Sequence, residues 1–465
     1  MRRVLFIHLA KPAMEFAMAH LGLASLAAIL KNAGHEVTIF DEVLYESATP
    51  PALAEVLAEV RPDLIGFSTY TSTHDRFLQC LAEIRRLTDV PILVGGPHAT
   101  LYAEELTNLS SVDYIVRGEA EDIIADLVAG ASRQEKPVVI TAEPPELQSL
   151  PWPDYTTVMN HQAMWSYPLV TSRGCPFQCS FCAIRRLIGS RWRSRDPQDC
   201  AAEVRAAVAT LPNLKLLNVS DDCPSLDLPR FKHFLRLLLA EGLSLKLDVN
   251  NMRADRLDAE MIQLLKQAGA DKQCIGVESG NPEVFALVNK GETLADIERA
   301  AQLIKEGGLE LALCFVIGLP GDTLARHRDS IALVKRLQPS LIYWNMAHPF
   351  PGTPMHDWFL QHDAHLDDPR TYTSYDSHRV ETVEPVVGTA EFSKEDRRRA
   401  YFLAVVETDQ YWIDRHTPFR MLARGLQYGM LGPVLRSLSR RLIFGSGRRL
   451  KRWLAARWQA RGKAA

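Results

Sequence analysis

Two successive series of short β-rich runs, each run followed by a helical pattern, limit what this chain can fold into. In the first series Val4–Leu9, Glu36–Phe40, Asp63–Ser68, Pro91–Val94, Asp113–Val116 and Val138–Thr141 read as strands. Apolar residues at helical spacing lie between them, as at Leu23, Leu26, Ala27 and Leu30 before Gly34. Strands that alternate with helices join by right-handed crossovers, so they pair in parallel and the helices cover both faces. Residues 1–142 are therefore predicted to be an α/β doubly wound domain, a class that binds ligands at the carboxyl ends of its strands. The Pro-rich stretch from Glu143-Pro144-Pro145 to Leu150-Pro151-Trp152-Pro153 marks 143–160 as a linker.

The second series places strands at Leu169–Ser172, Lys215–Ser220, Leu245–Asn250, Gln273–Val277, Leu311–Ile317 and Leu341–Ala347, with helices such as Ala201–Thr210 and Leu294–Lys305 between them. Six βα units are too few for a closed eight-fold barrel of about 250 residues. A partial (β/α)6 barrel is expected over 161–360, with an open sheet as the alternative. Residues 361–414 read as an accessory region with a charged helix near Ser393–Thr408.

The remaining segment, 415–465, is set apart by charge. The 465 residues sum to a net charge of −3, yet from Arg415 onward there are 13 Lys/Arg and no Asp or Glu. Leu435, Leu438 and Leu442 accompany Arg436, Arg440 and Arg441; Leu450, Trp453, Leu454 and Trp458 accompany Arg449, Lys451, Arg452 and Arg457. An apolar stripe opposite Lys/Arg, with Trp at its edge, suits an anionic membrane interface. Docking on the acidic body is the competing reading. Nucleic acid is disfavoured because no recognition module accompanies the tail. The clearest uncharged apolar run, Phe16 to Leu30, is shorter than the roughly 20 residues that span a bilayer. Val4–Leu9 is too short for a signal peptide. A cytoplasmic location, with a peripheral membrane contact through 415–465, is expected, and there eight Cys do not form a disulfide framework.

Three of those Cys stand together in Arg173-Gly174-Cys175-Pro176-Phe177-Gln178-Cys179-Ser180-Phe181-Cys182, directly after a strand. Thiolates are soft ligands suited to iron–sulfur clusters or zinc. The next Cys, Cys200, lies in a helical stretch. Three ligands on one loop suggest a cubane with one iron open to an exchangeable ligand; a three-Cys zinc site completed from elsewhere satisfies the same spacing.

The CxxxCxxC loop, with an aromatic before its last Cys, resembles the radical S-adenosylmethionine (SAM) superfamily. That resemblance implies a 4Fe–4S cluster on Cys175, Cys179 and Cys182, whose open iron is chelated by SAM. It also implies reductive cleavage of SAM to a 5′-deoxyadenosyl radical. Ser220-Asp221-Asp222 stands where the family places polar groups near the methionine ammonium, although not in its frequent Gly-Gly-Glu form. Gly276-Val277-Glu278-Ser279-Gly280 matches the strand that meets the ribose, and Phe315-Val316-Ile317-Gly318-Leu319-Pro320-Gly321 the strand that lines the adenine. Asp221, Asp222, Glu278, Ser279 and Gly318 are thereby assigned to SAM. Arg253, after the third barrel strand, is assigned to its carboxylate or else to a pair with Asp255.

The first domain narrows the resemblance. Its strand-end loops are Ser68-Thr69-Tyr70-Thr71-Ser72-Thr73, Gly95-Gly96-Pro97-His98 and Arg117-Gly118-Glu119-Ala120-Glu121. Small and hydroxyl residues there admit a large planar ligand. A doubly wound domain with these loops ahead of the Cys loop is similar to the cobalamin-binding radical SAM family over about residues 1–410. That family implies a cobalamin-binding parallel sheet, then a partial radical SAM barrel and a helical C-terminal region. Ser68, Thr69, Gly95, Gly96, Gly118 and Glu119 are assigned to cobalamin. The DxHxxG motif that supplies a lower-axial His is absent, as is common in that family, and His98 reads as a structural histidine.

Cys80, Cys200, Cys274 and Cys314 read as small buried hydrophobes; Cys223 could face the site, and Tyr343, Trp344 and His348 line substrate or pack. The chemistry the resemblance implies is methylation of an unactivated carbon of a small-molecule or lipid-like substrate, with an external electron donor. Radical oxidation or cyclisation of the Mg-protoporphyrin monomethyl ester cyclase type is the alternative, and a non-catalytic cobalamin or cluster sensor or carrier the second.

Overall fold

The computed structural model describes residues 1–10, 18–45, 49–368, 384–410 and 417–440. The first six strands are β1 (Arg3–His8), β2 (Glu36–Asp41), β3 (Leu64–Ser68), β4 (Ile92–Gly95), β5 (Tyr114–Arg117) and β6 (Val138–Thr141). They form one parallel sheet in the order β2-β1-β3-β4-β5-β6. The order reverses between β1 and β3, which opens a crevice at their carboxyl ends. There His8 lies beside both Asp41 and Ser68 in register, and Ser68 beside Gly95. The sheet's central strands β1, β3, β4 and β5 are buried on both faces because their residues alternate between two cores, while the edge strand β6 is largely exposed. Val4, Phe6 and Leu64 face one; Leu5, Ile7, Ile65 and Phe67 face the other. The first of these cores runs on into the second half of the chain.

Two short strands, β8 (Ser172–Arg173) and β9 (Arg193–Ser194), pair antiparallel and carry the Cys loop between them. The long strands of the second half are β7 (Ser166–Leu169), β10 (Leu216–Val219), β11 (Lys246–Val249), β12 (Lys272–Glu278), β13 (Glu310–Ile317) and β14 (Leu341–Met346). All their pairings are parallel, in two groups, β11-β10-β7 and β12-β13-β14, and a bridge from Leu247 to Ala270 joins the groups. The six strands thus follow chain order around a barrel left open between β14 and β7. On β12–β14 the residues facing the helices are fully buried, while Cys274, Cys314, Tyr343 and Asn345 on the concave face are half-buried.

Two readings change. The single strand expected at Leu169–Ser172 is two, because Thr171 and Ser172 turn aside to bond Asp221. The Pro-rich segment read as a linker is docked on the first domain: Asp154 N–H donates to Ala24 O, Met159 N–H donates to Ile39 O, and Leu147, Tyr155 and Val158 are buried.

Past the barrel, helix Lys394–Glu407 starts at Ser393, whose hydroxyl accepts from Asp396 N–H, and buries Arg397 beneath β13. Helix Thr417–Gln427 and a helical segment at 431–440 follow. No helix among the described residues is long and apolar enough to cross a membrane.

Candidate functional site

The Cys loop is held open by backbone rather than by cross-links. Gly174 has φ +87°, and a Cβ there would sit 2.3 Å from Arg191 O, so the entry turn requires glycine. Ser180 N–H donates to Val288 O at 2.8 Å and its hydroxyl to Leu287 O, fastening the loop to the end of helix Pro282–Val288. Phe177 lies under the Arg253 guanidinium at 3.5 Å. Cys175, Cys179 and Cys182 are all half-buried free thiols on this one turn. Burial pushes the Cys179 thiol up to about 12 against the Lys290 charge. Three soft donors on one short loop, none cross-linked, fit an iron–sulfur cluster better than a site for a hard cation.

Around the loop the structure sorts the residues assigned to SAM. Asp222 Oδ2 accepts from Gly174 N–H at 2.7 Å; burial raises its pKa, and the Asp221 and Glu119 carboxylates add to the effect. Arg253 donates from Nη1 to Lys290 O and from Nε to Asp255, leaving Nη2 buried with no hydrogen-bond partner. The pair with Asp255 is thus present, and the orphaned nitrogen is one that would suit a carboxylate. Glu278, at the end of β12 with φ +66°, faces Lys290 Nζ at 3.1 Å. Lys290 also meets Glu292 at 3.1 Å, and although burial opposes its charge, the two carboxylates hold its pKa above the ordinary value.

The other three turn inward. Asp221 is fully buried: Oδ1 accepts from Thr171 N–H at 2.6 Å, and Oδ2 from the Thr171 and Ser172 hydroxyls at 2.6 and 2.5 Å. It braces the strand end rather than the space over the Cys loop. Ser279 is buried and its hydroxyl accepts from Asn281 N–H at 3.2 Å. A Cβ at Gly318 would sit 1.9 Å from Arg397 Nη1, whose donation to Gly318 O spans 2.7 Å; packing against Arg397 explains that glycine.

A cavity of about 280 Å³ opens between the first sheet and the Cys loop. Ser68, Gly95, Gly96, Gly118 and Glu119 line it from the first domain, and Ser172, Arg173, Ser220 and Asp222 from the second. Thr69 does not line it; its hydroxyl donates to Gly95 O at 2.9 Å and it is buried behind the loop. Glu119 lines the cavity, but its carboxylate is engaged. Oε2 accepts from Arg173 Nη1 at 2.7 Å, Oε1 pairs with Arg193, and Arg173 Nη1 also reaches Glu121 at 2.6 Å. Burial works against the Arg173 charge, yet Glu121 and Glu119 outweigh it and raise its pKa. Glu119 therefore ties the two halves together.

His98 is fully buried, hydrogen-bonds Thr71 through Nδ1, and lies outside the cavity wall, as a structural histidine would. Its pKa is pushed down to about 3 by burial and by His74. His20, which the sequence reading passed over, lines the cavity; Nδ1 accepts from Leu23 N–H, so the neutral ring carries its proton on Nε2, 3.3 Å from the Tyr70 hydroxyl. Lys290 and Glu292 were also missed, the only signal being the polar run Asn289-Lys290-Gly291-Glu292 between two helices. Cys223 is buried close to Cys175. Cys80 and Cys200 are buried as expected, whereas the Cys274 and Cys314 thiols meet at 3.3 Å on the concave face. Trp344 packs on Phe315 rather than lining that face, on which Tyr343 lies; His348 sits half-buried beside Phe350.

Comparison with known proteins agrees with this layout. The B12 binding domain family matches residues 13–128 and the radical SAM superfamily residues 169–334. An uncharacterized methyltransferase of Pyrococcus horikoshii is 27% identical over 409 residues, 82% of this chain and 86% of its own length. An anaerobic magnesium-protoporphyrin IX monomethyl ester cyclase of Rubrivivax gelatinosus is 26% identical over 388 residues, 75% of this chain and 68% of its own. Among solved structures, the radical SAM methyltransferase TsrM of Kitasatospora setae, with cobalamin and a [4Fe-4S] cluster bound, matches with a TM-score of 0.67 at 18% identity. It covers 94% of this chain and 99% of its own.

Proposed function

From a chain that joins a B12-binding domain to a radical SAM domain, we propose a cobalamin-dependent radical SAM enzyme that methylates an unactivated carbon of a small organic substrate. Residues 1–142 hold cobalamin and 161–360 hold the cluster and SAM. The observation that carries the proposal is the shared wall: Asp222 touches the Cys loop through Gly174 N–H and also lines the cavity at the carboxyl ends of the first sheet.

Cluster and SAM together supply a carbon-centred radical able to take hydrogen from an unactivated C–H bond, cobalamin supplies the methyl group, and an external donor supplies the electrons. The chain's own part is placement and exclusion of water. Cys175, Cys179 and Cys182 hold the iron. Arg253 offers Nη2 to the SAM carboxylate, with Phe177 and Asp255 fixing the plane of its guanidinium. Asp222 offers its free oxygen to the methionine ammonium. Glu278 pairs with Lys290 and presents an acceptor to hydroxyl groups.

The relative named as a cyclase matches nearly as well as the one named as a methyltransferase. Radical oxidation or cyclisation without methyl donation is therefore the second reading. Anaerobic reconstitution with iron, sulfide and cobalamin, followed by product analysis, separates the readings. Deoxyadenosine together with S-adenosylhomocysteine supports methylation, and deoxyadenosine alone supports oxidation or cyclisation. No SAM cleavage under strong reductant, with the cluster spectroscopically intact, would leave a sensor or carrier.

A further inference from the structure

We infer that the C-terminal helices form a docking surface for an anionic lipid membrane. Helix Thr417–Gln427 buries Met421 and Gly425 at helical spacing, and Tyr428 just past its end is buried against Phe402 of the body. Its other face repeats the spacing with Phe419, Ala423 and Leu426, which lie in water. Phe419 is 73% exposed and Leu426 66%, more than any other large apolar side chain among the described residues except Met1. In the next helical segment Val434 and Leu438 are buried while Leu435 is 51% exposed. The two segments close on each other at Gly425, where a Cβ would lie 2.9 Å from Val434 Cγ2. The exposed apolar residues therefore belong to one helical hairpin.

Charge decides what covers them. Arg436 adjoins Leu435, Arg440 is paired with Asp409 at 2.9 Å, and the whole stretch from Arg415 to Ala465 carries 13 Lys/Arg without one acidic residue. A second copy seated on this face would bring two such basic stretches together, because a two-fold contact repeats the same patch. Residues 441–465 folded back on it meet the same objection, since they hold eight of those cations. Nucleic acid supplies negative charge but leaves Phe419, Leu426 and Leu435 in water. A bilayer interface with anionic headgroups supplies both an apolar phase and the charge. Leu450, Trp453, Leu454 and Trp458, interleaved with Arg449, Lys451, Arg452 and Arg457, repeat the composition further along the chain.

The test sediments the full-length protein with phosphatidylcholine vesicles, with or without phosphatidylglycerol. The protein is expected to co-sediment with the anionic vesicles and to be released as salt is raised. Combining Phe419→Glu with Leu426→Glu should weaken vesicle binding at least about tenfold, since acidic groups replace the inserted side chains. Leu87→Glu, at a leucine 51% exposed on the first domain, should leave binding unchanged. Circular dichroism and the melting temperature report that each variant is folded. No binding to anionic vesicles, or a Phe419/Leu426 variant that binds like the parent, overturns the inference. So does a parent that dimerises through this face, or binds DNA through it, without binding vesicles. The readout needs no turnover and no cofactor, so its outcome is independent of the proposed activity.

Discussion

Replacing Glu119 by Gln tests how the two halves of the molecule are held in register. Glu119 and Glu121 sit on the loop after β5, and Arg173 and Arg193 on the two short strands that carry the Cys loop. Their side chains are 8, 6, 13 and 3% exposed, so solvent screens the pairs little. Two unit charges at about 4 Å with an effective dielectric near 20 attract by about 4 kcal/mol before desolvation is counted. Removing one partner of a buried pair costs about 3–5 kcal/mol, chiefly because the other charge is left behind. Glu119→Ala is expected near that range. Glu119→Gln keeps an acceptor within reach of both guanidiniums and should cost about 2 kcal/mol. Urea unfolding measures both, and a double-mutant cycle with Arg173→Met isolates the pair, with an expected coupling of at least about 1.5 kcal/mol. Proteolytic cutting within 143–160 should quicken in the Gln variant, because that segment docks on the first domain while Pro145 O is held by Arg193. A coupling below about 0.5 kcal/mol, or an unchanged urea midpoint, would refute the argument that these charges join the halves.

Four further outcomes follow from single sites. Alanine at Cys175, Cys179 or Cys182 should abolish iron uptake on reconstitution, read by iron analysis and visible absorbance. Asp221→Ala leaves three donors without an acceptor and should cost about 3 kcal/mol in denaturant while the KM for SAM stays unchanged; a raised KM with parental stability would restore Asp221 as a ligand. Gly318→Ala forces a Cβ onto Arg397 at φ +84° and should destabilise by about 2–4 kcal/mol in the same assay. Burial pushes the Asp322 carboxyl from 3.8 up to about 6, so the native state binds its proton more tightly than the unfolded chain. That contribution is fully present below about pH 4 and is lost as pH rises through 6. At about 1.4 kcal/mol per unit it amounts to about 3 kcal/mol, and Asp322→Asn should lack this component of the pH dependence of stability.

Much of this arrangement is legible in the sequence because local pattern and tertiary role coincide. All six strands of the first sheet lie within a residue or so of their expected bounds, and β1, β3, β4 and β5, buried on both faces, read as continuous apolar runs. The Cys loop is legible as a soft-metal site, because three thiols in eight residues can share one ion or cluster, and the choice of cluster is what the family resemblance implies. Pairings over long separations were not. Asp221 and Asp222 are neighbours whose carboxylates go opposite ways, one to Thr171 and Ser172 and the other to Gly174, and a motif match cannot choose between them. Lys290 becomes informative only when the fold brings Glu278 and Glu292 to either side of it. The Cys274–Cys314 contact needs the register of β12 against β13, which sets Gly276 beside Cys314.

The clamp also changes what two motifs mean. Arg117-Gly118-Glu119-Ala120-Glu121 was read as a loop for one ligand and Arg173-Gly174-Cys175 as the start of a loop for another. In the folded chain the carboxylates of the first close on the arginine of the second, and on Arg193 across the short sheet. Each motif keeps a backbone face clear of the clamp: Gly118 lines the cavity, and Gly174 turns the chain toward the thiols. Chemistry that passes a radical at one centre to a group held at another needs both centres fixed to within a fraction of an ångström. A pair of flexible surface contacts cannot do that. Buried, mutually satisfied ions can, because any slip leaves a charge unpaired at low dielectric. Under the proposed function, the charged residues of the two motifs set the geometry between the sites, and the small residues beside them are the ones assigned to the ligands.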